Sequence, residues 1–162
     1  MVGVKRKRLF AALFLAVLVA LALAGPAWAA KIGGADQGGR PFSTVLTGEA
    51  EVNDDGVPNQ GDLDGTGSAK ITVNLGQEEV CFELSVAGIT LPATGAHIHE
   101  GVAGENGPVV VPLEPPDANG VSSGCEEVSR ELALAIIQDP ENYYVNVHTS
   151  DFPAGALRGQ LP

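Results

Sequence analysis

The sequence predicts an all-β domain, an antiparallel sandwich or barrel with one short helix. Three observations carry that prediction. Seven or eight short stretches place apolar residues at every second position, clusters of glycine, proline, aspartate and asparagine separate them, and a single segment, Ser129 to Gln138, has helical spacing. No repeat of the solenoid or propeller kind runs through the chain.

The N-terminus sets the compartment. Lys5-Arg6-Lys7-Arg8 precedes an apolar run from Leu9 to Ala24, and Ala27-Trp28-Ala29 follows as a small-residue cleavage site, so residues 1–29 read as a secretory signal peptide. A retained membrane anchor is the competing reading, but a run of this length is short of the roughly 18 apolar residues that span a bilayer. The expected product is secreted or otherwise extracytoplasmic, and free of the membrane once processed. Of nine basic residues the signal holds four, and of twenty acidic residues none, so the remainder carries a formal charge of 5 − 20 = −15. Such a surface repels phosphate backbones, which excludes nucleic acid as a partner. In an exported chain the only two cysteines, Cys81 and Cys125, read as one disulfide; a thiolate metal site is the alternative, without the C-x-x-C spacing that would support it.

Residues 30–41 form a glycine-rich leader, and 42–162 the β domain. Phe42 to Val52 reads as the first strand. Asn53 to Gly67 is turn-rich and carries Asp54, Asp55, Asp62 and Asp64, without the complete ligand series of a calcium loop. Ser68 to Leu75 alternates Ile71, Val73 and Leu75 against Lys70, Thr72 and Asn74, and Glu79 to Ala87 alternates Val80, Phe82, Leu84 and Val86 against Cys81, Glu83 and Ser85, which predicts a hairpin. Cys81 then faces away from the core, placed to staple a covering loop. Gly95 to Gly101 and Val109 to Leu113 are the next strands, and Glu114 to Gly124 is a surface loop. Ser129 caps the helix, Glu131 sits in its first turn, and Leu132, Ala135 and Ile136 form its apolar face. Tyr143 to His148 and Ala154 to Leu161 complete the sheet, the last with Arg158 and Gln160 outward.

All three histidines fall on these strands. In G-A-H-I-H-E-G, His97 and His99 share one face while Ile98 points the other way; in Y-Y-V-N-V-H-T, Tyr144, Asn146 and His148 oppose the stripe of Tyr143, Val145 and Val147. If both apolar stripes face the core, His97, His99 and His148 emerge together, with Asn146, Arg158 and Glu100 as the neighbouring polar face. Three neutral imidazoles could hold one copper or zinc ion. The same residues could instead form a polar network with Asn146, Thr149 or backbone carbonyls, or a face for a partner or an anion. No serine or cysteine nucleophile with a base and no phosphate cradle stands out, so no catalytic residue is assigned; whether the protein is an enzyme stays open, with a non-enzyme favoured.

The motifs G-A-H-I-H-E-G, Asn106-Gly107-Pro108-Val109-Val110, Y-Y-V-N-V-H-T and the terminal A-L-R-G-Q-L together resemble the CHRD domain, the module described in chordin, from about Ser43 to Leu161. That resemblance implies an immunoglobulin-like Greek-key barrel similar to copper/zinc superoxide dismutases, and little about activity. His97 and His99 resemble the H-V-H-E copper ligands of those enzymes, His148 a later ligand, and Arg158 the arginine that guides the anionic substrate. With no fourth histidine, a dinuclear histidine site is impossible. Two functions stand side by side: an extracytoplasmic binding or structural module presenting loops Asn53 to Gly67 and Glu114 to Gly124 to a protein or cell-envelope ligand, and a mononuclear copper or zinc protein.

Overall fold

A computed structural model describes residues 38–162. The signal-peptide reading of residues 1–29 and the leader as far as residue 37 lie outside the described residues. Eight strands form one antiparallel sheet: β1 (Arg40–Thr47), β2 (Thr66–Asn74), β3 (Glu79–Ala87), β4 (Gly95–Glu100), β5 (Val109–Leu113), β6 (Val121–Glu127), β7 (Tyr143–His148) and β8 (Leu157–Gln160). Their order is β5-β4-β7-β8-β1-β2-β3-β6. The end strands β5 and β6 approach one another, so the sheet curls into a nearly closed barrel around its core.

The barrel has two halves. β1 and β8 share one register pair, Thr47 with Arg158, and this narrow seam joins β5-β4-β7-β8 to β1-β2-β3-β6. Gly159 makes the seam close, because a Cβ there would strike the Val45 carbonyl and the Leu46 side chain. The predicted alternation is what fills the interior: Ile71, Val73, Val80, Phe82, Ile98, Val111, Val145, Val147, Leu157 and Leu161 are all fully buried. One helix, α1 (Arg130–Gln138), covers part of this core with Ala133 and Ile136. Its cap is the one the sequence predicts, with Ser129 accepting from the Leu132 N–H.

Three elements differ from expectation. β1 begins at Arg40 and ends at Thr47, because the chain folds back at Gly48, whose carbonyl accepts from Glu51 and Gly61; the alternation through Val52 belongs to a loop that re-enters the protein. β8 is likewise short, the turn through Gly155 occupying its predicted start. The segment expected to be loop up to Cys125 contains strand β6. Its sequence, V-S-S-G-C-E-E, has no apolar stripe, and it is a strand because it pairs in register with β3. Cys81 and Cys125 are direct partners in that register and form the disulfide, which therefore staples two neighbouring strands rather than a loop to the sheet, and leaves no thiolate for a metal. Among the described residues no helix is long and apolar enough to cross a membrane. The disulfide is compatible with an extracytoplasmic setting.

Candidate metal centre

β4 and β7 pair so that Gly95 faces His148, His97 faces Asn146 and His99 faces Tyr144; β7 and β8 pair Asn146 with Arg158 and Tyr144 with Gln160. Side chains of one parity on these three strands make a single outer face, and it carries all three histidines. Glycine at position 95 gives the rings room. A Cβ there would lie 3.3 Å from His97 Cε1 and 3.5 Å from His148 Cδ2, so the two imidazoles converge over a residue without a side chain.

The ring centroids lie 5.0 Å apart for His97 and His148, 5.6 Å for His97 and His99, and 6.4 Å for His99 and His148. One ligand nitrogen from each falls within 4.8 Å of the others. Backbone carbonyls orient two of the rings. His99 Nδ1 donates to the Gly107 carbonyl at 2.9 Å and His148 Nδ1 to the Pro153 carbonyl at 3.1 Å, which makes Nε2 the unprotonated nitrogen of each ring when neutral. His148 Nε2 lies 3.2 Å from His97 Nδ1, and His99 Nε2 is buried with no partner. The polar network expected as an alternative is thus present, through the two carbonyls and the His97–His148 hydrogen bond, and among the converging nitrogens it leaves His99 Nε2 unpartnered. Burial lowers the pKa of all three imidazoles, and for His97 and His99 the neighbouring histidines lower it further, so neutral rings are favoured.

Behind the histidines lies a stack. Tyr144 lies flat on His99, 4.8 Å between centroids and 8° between planes, and Arg158 Cζ stands 3.4 Å from the Tyr144 ring centre. Strand order puts β7 between β4 and β8, so Tyr144 is sandwiched by the two. Arg158 is buried, and its guanidinium donates to the Val102 and Glu105 carbonyls at 3.0 and 2.8 Å and to Asn106 Oδ1 at 3.4 Å. It ties the 101–108 loop onto the sheet instead of presenting a free face to an incoming anion. Asn146 and Arg158 therefore stand where the sequence places them. Glu100 does not: it has the parity of Ile98, pairs with Tyr143, and points to the other side of β4.

Sequence reasoning missed Glu51. The loop after β1 carries it in under β7, 4 % exposed, where Asn146 Nδ2 donates to its Oε1 and Gly155 packs on the carboxyl with no room for a side chain. One acid among twenty gives no local signal of this. Burial pushes Glu51 up from 4.5 to about 7, against the pull of Arg158. Between those two values the folded state keeps a proton that the unfolded chain releases, so this group's contribution to stability falls as pH rises from 4.5 to 7 and stays lost above. Glu51→Gln should therefore match the parent near pH 4 and be more stable above pH 8, by about 2 kcal/mol in denaturant titrations. Equal stability at both ends would refute a buried, protonated Glu51.

Gly107 is the second residue whose role only the fold reveals. Its carbonyl orients His99, its N–H donates to Tyr144 Oη at 3.2 Å, and an added Cβ would land on the Glu100 carbonyl. Gly107→Ala must displace that loop. We expect a loss of about 2 kcal/mol in thermal unfolding together with weakened hold on His99, visible as an altered His99 imidazole signal in NMR; an unchanged His99 signal would show that the carbonyl is not what orients the ring.

Fold and site together define a small antiparallel β-barrel with three converging imidazoles on an outer face. The CHRD domain model matches residues 42–161, and the chain belongs to the CHRD domain family. No curated protein and no solved structure matches the chain.

Proposed function

We propose that this protein is an extracytoplasmic CHRD binding module that holds one copper or zinc ion on His97, His99 and His148. The observation that carries the reading is the convergence of three imidazoles, with His97 Nδ1 and His148 Nε2 3.2 Å apart and His99 Nε2 buried without a partner. Two nitrogens on a tetrahedral zinc ion stand about 3.3 Å apart, so the first pair already has the spacing of shared ligands. The unpartnered Nε2 supports the same reading, since a metal would satisfy an atom otherwise costly to bury. Three histidines would leave an open coordination position, at which a bound ion would supply Lewis acidity or, for copper, one-electron chemistry.

The chain's own part is orientation. The Gly107 and Pro153 carbonyls set the tautomers of His99 and His148, and the Tyr144–Arg158 stack holds His99 from behind. Arg158 places a positive charge near the site, which favours a site that holds its ion through neutral rings in fixed positions over one that relies on attraction alone. The test is elemental analysis of the purified mature protein after equilibration with Cu²⁺ or Zn²⁺ and removal of free ion. One equivalent retained is the expected result; protein that retains neither ion ends the proposal.

A further inference from the structure

Beside the histidine face, between the loop after β1 and the loop after β4, lies a cavity of about 320 Å³, at the lower end of small-ligand sites. Its walls include Glu51, Asp54, His99, Asn106, Tyr144 and Asn146. Three N–H donors at this wall are engaged. Asn146 Nδ2 donates to Glu51, Asn106 Nδ2 donates to the Val52 carbonyl at 3.3 Å, and the Gly107 N–H donates to Tyr144 Oη. Two acceptors are not. Asn146 Oδ1 and His99 Nε2 are both buried and unpartnered, although Asn146 is only 2 % exposed. An acceptor buried without a donor carries a desolvation penalty, so the cavity favours a guest that supplies N–H or O–H groups.

Charge narrows the guest further. The Asp54 carboxylate on the wall disfavours an anion. Arg158, close enough to act on Glu51 and held against Tyr144, disfavours a cation. What remains is a neutral molecule rich in hydroxyl groups, whose O–H donors suit the unpartnered acceptors.

We propose that this cavity binds a small neutral polyol, a single sugar unit or a cyclitol, with Asn146 Oδ1 and the Glu51 carboxyl as its principal hydrogen-bond partners. This goes beyond the metal reading and does not require it, since neither residue is one of the three histidines. An ion on His99 Nε2 removes one acceptor and leaves the others.

The test titrates chelator-treated and zinc-equilibrated protein with myo-inositol and with the methyl glycosides of glucose, galactose and mannose, followed by NMR of the Asn146 side-chain amide. Glucosamine and glucuronate serve as charged counterparts. Saturable shifts with at least one neutral probe are expected, with both charged analogues about tenfold weaker or worse. Inositol and the glycosides separate a cyclitol from a sugar as the preferred guest. Asn146→Leu should weaken binding about tenfold. Should that variant fail to fold, Ala154→Trp, at an exposed position on the cavity rim, blocks entry without touching the core and should abolish the shifts. No saturable shift with any neutral probe, tighter binding of glucosamine, or binding untouched by Ala154→Trp would each overturn the proposal. Because the chelated arm contains no ion, a failure of metal binding leaves this result readable, and a failure here leaves the metal analysis intact.

Discussion

Replacing His99 or His148 by alanine is expected to lower copper or zinc affinity by about a hundredfold or more, and His97→Ala by a smaller but still large factor. The ranking follows from how the rings are held. His99 and His148 are fixed in tautomer and direction by the Gly107 and Pro153 carbonyls, so the Nε2 of each is aimed at the site, whereas no carbonyl orients His97, whose Nδ1 contacts His148 Nε2. Without His97 two oriented ligands remain; without either of the others the best-placed donor is gone. Competition with a chromophoric chelator measures the affinities, and a His99→Ala protein that competes as well as the parent would place the ion elsewhere. Acid acts in the same direction. The lowered imidazole pKa values favour neutral rings in the fold, so the unfolded chain takes up protons first as pH falls below the ordinary histidine value near 6.5. Metal affinity should therefore decline below that pH, and with it the histidines' share of fold stability, which runs opposite to the gain from Glu51 over the same range; the ion delays the loss because protons must displace it.

Removing the disulfide is expected to cost about 4 kcal/mol, the chain-entropy value for a link between residues separated by 44 positions, and to lower Tm by about 10–20 °C. The strand that suffers is β6. It pairs with β3 on one side, and its residues are mostly half exposed with no apolar stripe. Its place in the barrel thus rests on main-chain pairing and the link at Cys125. In Cys81→Ala/Cys125→Ala, amide exchange should accelerate first across 121–127 while β4 and β7 stay protected, since those strands belong to the other half of the barrel. Metal affinity should be unchanged. A Tm within a degree or two of the parent would show that β6 is held by pairing alone.

Much of this architecture was legible in advance wherever a strand has one wet and one dry face. β3 is found at its predicted bounds, and in β7 the Tyr143-Val145-Val147 stripe is the buried one, because period-two alternation is a local property. Where that contrast is missing, reading failed. β6 has no apolar face to announce it, and the continuation of β1 through Val52 kept the alternation while leaving the sheet, with Gly48 turning the chain. Glu100 is next to His99 in sequence yet lies off the histidine face, because one step along a strand reverses a side chain.

By itself the sequence determined which side chains share a face of each strand: His97 with His99, and His148 with Asn146 and Tyr144, because the pleat alternates whatever the neighbours are. Only the tertiary structure decided that β4 and β7 are adjacent, that Gly95 opens room for two rings, that Arg158 is spent on loop carbonyls, and that Glu51 is buried beneath Asn146. Those facts join residues about 50 to 100 positions apart. They depend on which edges meet and which loops fold over them, and that choice is made by burial of the whole core rather than by any local pattern.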